Sequence, residues 1–176
     1  AITDASIKIR EDKAYSEEGN CMLNFNDDDL SFIPCENDDL RAEADEIISF
    51  LVDEYLAGVA KYGVQGTIIL TPTHFDKGKP SGYLCKDVLN KVVQERINPD
   101  TPTKASCKIG QQVFREGDRV IQRKNTSVVI NGDLGTIQSI TSDGEGDMQI
   151  QIMFDSKTEP LEYGLKDMRN VELAYA

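Results

Sequence analysis

The chain has 176 residues, 39% of them hydrophobic, enough for one domain or one domain with a small module, and this argues against wholesale disorder. Its longest apolar runs are a few residues, far short of the roughly 20 a membrane helix needs, and no signal-peptide pattern opens it. The net charge of −12 is uneven: residues 1–60 hold 16 Asp/Glu against 4 Lys/Arg, whereas residues 61–176 hold 15 of each.

An acidic surface repels phosphate, so any nucleic-acid contact is expected beyond residue 60. Cys21, Cys35, Cys85 and Cys107 are scattered with no CxxC pair, and His74 is the single histidine. This is poor material for a zinc site, and no metal site is expected. Reduced, partly buried thiols in a cytoplasmic protein are the expected state. The chain does not begin with Met and both ends fall in plausible structure, so it is expected to be a piece of a longer protein.

Residues 1–13 carry a rough apolar stripe (Ile2, Ala5, Ile7, Ile9) that suits a short helix, and Cys21–Phe25 alternates weakly like an edge strand. Asp27-Asp28-Asp29 invites a calcium reading but lacks the glycine and distal glutamate of an EF-hand loop, which leaves a solvated acidic turn as the better description. Leu30–Cys35 reads as a short strand stopped at Pro34. Asn37-Asp38-Asp39 then offers a helix cap, and Leu40, Ala44, Ile47, Ile48, Leu51, Val52, Tyr55 and Leu56 recur at helical spacing, predicting a helix from Asp38 to Lys61.

Thr67–Thr73 predicts a buried strand after that helix, the signature of a parallel-sheet unit. Ligands gather at the carboxyl edge of such sheets, where Thr71, Thr73 and His74 fall. Their hydroxyls, amides and imidazole suit a phosphate or sugar contact; a turn in which a threonine bonds its own backbone is the plainer alternative. Residues 76–81 (DKGKPS) form a loop without the earlier glycine of a phosphate cradle. Ser81 predicts the cap of a helix from Gly82 to Ile97, with Leu84, Val88, Leu89, Val92, Val93 and Ile97 inward. Asn98-Pro99 ends it, and residues 100–106 read as a linker.

From Cys107 onward the pattern is all β. The stretch Val113–Ile137 reads as strands joined by a polar loop, with Val128-Val129-Ile130 extended up to the Asn131-Gly132 turn. Expected strands are Arg119–Arg123, Leu134–Ile140, Met148–Phe154, Pro160–Tyr163 and Val171–Tyr175. Turns are expected at residues 143–147 and 155–157, and a tight helical turn at Tyr163–Met168. Five such strands describe an SH3-like barrel of about 60 residues. Lys104 to Lys124 is the most basic window of the chain; a solvated barrel face is the plain reading of it and a nucleic-acid contact the functional one.

Several ordered segments together resemble superfamily 1B DNA helicases of the RecD/TraA type, the class that includes the exodeoxyribonuclease V alpha chain. They are Ile68–Thr73; Leu89-Asn90 with Gln94-Glu95 and Asn98-Pro99; Gly117–Gln122 with Asn125; Asn131–Gly135; and Leu173–Ala176. The resemblance implies that residues 1–106 are part of the second RecA-like motor domain, an α/β unit. Residues 107–170 are then a small all-β SH3-like barrel inserted in it, and residues 171–176 a strand returning to the motor.

It further implies a parent that hydrolyses ATP with Mg²⁺, translocates 5′ to 3′ on single-stranded DNA and unwinds duplex. The catalytic groups would lie outside this piece, which would carry no catalytic residue, bind no cofactor and neither hydrolyse ATP nor unwind DNA by itself. Carried over, Thr71, Thr73 and His74 are candidates for the sugar-phosphate backbone, and Arg119, Arg123 and Lys124 for steering a strand by charge. Gly117, Asp118, Gln122, Asn125, Asn131, Gly132, Asp133 and Gly135 match motif or turn positions; Gln122, Asn125 and Asn131 are expected to hold the barrel's turns, with direct DNA contact as the alternative. A protein partner on the barrel is a further expectation. The alternatives are a stand-alone module for nucleic acid or protein, and a hydrolase built around His74.

Overall fold

The longest helical pattern becomes helix α1 (Leu40–Tyr62) in the computed structural model, which describes residues 40–71, 84–142 and 147–176. The readings for residues 1–39, the acidic turn at Asp27-Asp28-Asp29, Thr73, His74, the loop at 76–81, the Ser81 cap and most of the 143–147 turn lie outside the described residues. Val52 and Tyr55 of α1 are buried, and Ile48, Leu51, Leu56 and Val59 pack against the core beside them. Gly63 stops the helix at φ 76°, its N–H bonded back to the Val59 carbonyl at 2.9 Å. A 3₁₀ turn, Val64–Gly66, follows.

The expected buried strand at Thr67–Thr73 is corrected for its described part. Residues 67–71 form no strand, and Leu70 is 86% exposed. Among the described residues a single backbone bond anchors them, from the Ile69 N–H to the Tyr175 carbonyl at 3.0 Å, and one bond does not make a ladder. Ile69 is buried there while Ile68 is exposed.

Helix α2 (Lys86–Ile97) starts at Cys85 and ends where the Asn98 N–H bonds the Gln94 carbonyl, just before Pro99. Leu89 and Val93 are buried as expected, whereas Val92 faces outward. A hairpin that the periodicity did not announce comes next: β1 (Ser106–Ile109) pairs with β2 (Gln112–Arg115) around Gly110 at φ 63°.

The five anticipated strands are β3 (Arg119–Gln122), β4 (Leu134–Ser142), β5 (Met148–Phe154), β6 (Leu161–Tyr163) and β7 (Val171–Leu173). They form one antiparallel sheet in the order β6-β5-β4-β3-β7. Register places Ile137 opposite Ile152 and Ile140 opposite Ile150, with an irregularity between Ile137 and Ser139. A 3₁₀ turn, Asp167–Asn170, leads into β7. The small antiparallel sheet fits an SH3-like domain, but among the described residues its ladder is open, with β6 and β7 as edges and no hydrogen-bonded closure into a barrel.

Val128–Ile130 does not become a strand. Thr126 folds that loop on itself: its Oγ1 accepts the N–H groups of Val128 and Val129, and its own N–H bonds the Val129 carbonyl. Only Val129 reaches the core; Val128 and Ile130 are exposed.

The helices and the sheets belong to one compact unit. Val52, Tyr55, Ile69, Leu89 and Val93 join Phe114, Val120, Ile137, Ile152, Phe154, Met168 and Leu173 in a single apolar cluster.

Candidate functional site

The seam between α2 and the strands is closed by a polar cluster inside the apolar one. Asn90, Gln94 and Asn98 lie four residues apart, so one face of α2 and its C-cap together present three buried amides. They converge on the strands around Asp118, whose residue is fully buried. Gln94 Nε2 donates to Asp118 Oδ2 at 2.6 Å, and so does the Arg115 N–H at 2.7 Å. Asn98 Nδ2 donates to Oδ1 at 2.7 Å, and the Tyr175 hydroxyl to the same oxygen at 2.9 Å.

Each carboxylate oxygen thus accepts two hydrogen bonds, which fills the lone-pair capacity of an ionised carboxylate. None of the four donors is a cation. Burial pushes the Asp118 carboxyl above the usual carboxylate range, and the donors from Asn98, Arg115, Tyr175 and Gln94 pull it back in part. Burial and the adjacent Asp118 charge also raise the Tyr175 hydroxyl, which keeps it a donor. The Cys107 thiol is pushed up to about 11, chiefly by burial, so it is unreactive at neutral pH.

Asn90 does a second job at the same seam. Its Oδ1 accepts the N–H groups of Tyr175 and Ala176 at 2.8 and 2.9 Å, and its Nδ2 donates to the Ala176 carbonyl at 3.1 Å. An amide side chain here stands in for a neighbouring strand. The Asn98 amide also donates to the Glu116 carbonyl at 2.9 Å, and Gly117, at φ 87°, turns the chain directly over it.

Two arginines are turned inward. Arg115 NH1 donates to the Asn98 carbonyl at 2.8 Å and NH2 pairs with Glu95 at 2.5 Å. Arg119, read from the sequence as a DNA-steering charge, has a side chain only 2% exposed and grips Asp155 with both terminal nitrogens. Gln65 Nε2 donates to the same Asp155 at 3.1 Å. Arg119 is therefore a buried anchor, and the DNA role is corrected for it: its guanidinium is committed to a carboxylate and shielded from solvent.

The remaining motif positions shape the long loop between β3 and β4. Gln122 is buried, donating to the Lys124 carbonyl and accepting from the Tyr163 hydroxyl at 3.1 Å. Asn125 Oδ1 accepts the Asn131 N–H at 2.7 Å, and Asp133 Oδ2 accepts the Ile130 N–H at 3.2 Å. Gly132 sits at φ 99°, while Gly135 owes its place to contact: a Cβ there would meet the Met153 carbonyl oxygen at 2.9 Å.

Of the DNA candidates, the structure leaves Arg123 and Lys124 exposed together after β3, and Arg123 Nε lies 3.3 Å from Glu172. Thr71 stands apart, donating to the Leu84 carbonyl. The surface next to Arg123 is a groove of about 630 Å³ between α2, β2 and β7, with Lys86, Lys91, Gln112 and Glu172 among its walls. Lys86 and Arg123 share the Glu172 carboxylate. Among the described residues no group of three or more His, Cys, Asp or Glu is placed to hold a metal ion. No described helix is long and apolar enough to cross a membrane.

Residues 89–154 match the family model of the ATP-dependent RecD-like DNA helicase SH3 domain. The match covers somewhat more than a third of the chain and supports a RecD-like helicase fragment, its parent a DNA helicase. It begins on α2 at Leu89, so it contains the Asn90, Gln94 and Asn98 stripe as well as Asp118. No solved structure matches the chain.

Sequence reasoning carried Asn90, Gln94 and Asn98 only as segments of the resemblance, and it missed that they turn inward together with Arg115 and Arg119. A spacing of four among Asn90, Gln94 and Asn98 was the available signal, since it puts polar groups on the apolar face set by Leu89 and Val93.

Proposed function

We propose that this chain is part of the second RecA-like motor domain of an ATP-dependent 5′–3′ DNA helicase of the RecD/TraA type, with the sheet as its SH3-like insertion. The family match at residues 89–154 carries this reading. The strand order, with a 3₁₀ turn before the last strand, agrees with it. The partner is single-stranded DNA, engaged through the parent, with Arg123 and Lys124 as the exposed charges of the module and Thr71, Thr73 and His74 as backbone contacts of the motor.

ATP and Mg²⁺ belong to the parent's chemistry. The described residues offer neither a glycine-rich phosphate cradle nor a metal-binding acid cluster, and no step of hydrolysis is assigned to them. What this piece supplies is a rigid mount and a surface of charge. A motor's DNA channel needs both RecA-like domains, so the 176 residues alone bind an oligonucleotide weakly.

A salt-titrated binding measurement with a labelled single-stranded oligonucleotide tests this. Millimolar or undetectable binding at physiological salt is expected. Tight binding under those conditions would point instead to a stand-alone nucleic-acid module, and its loss in Arg123→Ala/Lys124→Ala would locate it.

A further inference from the structure

We infer that Asp118 is a latch that makes helix α2 and the strands move as one body, with Asn90 fixing the path of the chain after β7. Three observations combine. The carboxylate draws half its donors from α2 (Gln94, Asn98) and half from the strand side (the Arg115 N–H, the Tyr175 hydroxyl). No cation bonds the carboxylate directly (Lys104 reaches only the Oδ1 of Asn98), so neutral donors from both sides hold a buried charge, and parting the seam strips two of them at once. The seam is locked again at each end: Asn98 and Glu95 hold Arg115 on one side, while Asn90 holds Tyr175 and Ala176 on the other.

The groups bonded to the Asp118 carboxylate are Gln94 of α2, Asn98 at the helix C-cap, the Arg115 N–H and the Tyr175 hydroxyl, with the Cys107 thiol interacting beside them and Lys104 bonded behind Asn98. A residue that merely filled the sheet's core would be surrounded by β4 and β5 side chains; Asp118 instead bonds across the helix–strand boundary. Its backbone does serve the sheet, since its carbonyl accepts the Ile137 N–H at 3.0 Å, but substitution leaves that bond available. The side chain and the backbone therefore have separable jobs. This inference stands on contacts alone and does not require the helicase reading, although in a motor it would transmit movement between the α/β part and the sheet.

Amide hydrogen exchange followed by mass spectrometry on the full chain tests it. In Asp118→Ala, peptides covering the C-terminal half of α2 and residues 174–176 should exchange about tenfold faster or more, while β4 and β5 keep wild-type protection. The double variant Gln94→Ala/Asn98→Ala cuts the latch from the helix side and should give the same pattern with Asp118 intact. Asn90→Ala should release residues 175–176 alone, since the Ala174 N–H bonds the Arg119 carbonyl. Unchanged exchange at the seam in both latch variants would overturn the inference. So would β4 and β5 losing protection by the same factor as α2, because the carboxylate would then be holding the sheet itself.

Discussion

Asp118 and Arg119 are neighbours in sequence and solve the burial of charge in opposite ways. Asp118 is held by neutral donors, and Arg119 by the Asp155 carboxylate. Because burial raises the native pKa of Asp118, the folded chain takes up that proton at higher pH than the unfolded one. The stability this group contributes is fully present below the ordinary Asp pKa of about 3.9, and it is lost as pH rises through the raised native value. Wild type should therefore gain stability relative to Asp118→Asn as pH falls from 7 toward 4. Urea unfolding of the pair across that range reads the difference, and a constant gap would contradict it. At Arg119, Asp155→Ala leaves a buried guanidinium without its partner and should cost about 3 kcal/mol in urea unfolding. The apolar double variant Arg119→Met/Asp155→Leu should recover most of that loss.

Elements were legible in the sequence to the extent that their own period decided them. Leu51, Val52, Tyr55 and Leu56 repeat at helical spacing, and α1 lies where they predict. The alternation along Met148–Phe154 reproduces β5 to the residue. The misses occur where a partner decides. Thr67–Thr71 has the composition of a strand, but a strand needs a neighbour, and among the described residues only Tyr175 bonds its backbone. Val128–Ile130 also has strand composition, yet Thr126 captures its amides.

The two glycines of the β3–β4 region separate turn geometry from packing. Gly132 holds φ 99° with nothing within 4 Å of an added Cβ, so Gly132→Ala should cost about 1 kcal/mol of backbone strain. Gly135→Ala forces a methyl against the Met153 carbonyl and the Ile152 and Phe154 side chains, and should cost about 2–3 kcal/mol by moving β5. Thermal unfolding of both variants ranks them; equal losses would contradict the assignment of Gly135 to close contact.

At the scale of the whole molecule, the order of turns and strands announced an SH3-like sheet joined to helices, and the match at residues 89–154 agrees with that sheet. The candidate site was less legible. Charge counting marked Arg119, Arg123 and Lys124 alike, but only tertiary placement separates a guanidinium clamped on Asp155 from charges left in solvent. Likewise, Asp118 reads as a turn residue until α2 is seen to deliver two amides to it. Long-range pairs of this kind, 20 or more residues apart, leave no local period to find.

The central claim, that these residues belong to an ATP-driven motor acting on DNA, is tested most directly by strand separation in the full-length protein that contains them. ATP-dependent unwinding of a duplex with a 5′ single-stranded tail, and none with a 3′ tail, is the predicted result. A full-length protein that binds single-stranded DNA yet neither hydrolyses ATP nor separates either substrate would contradict it.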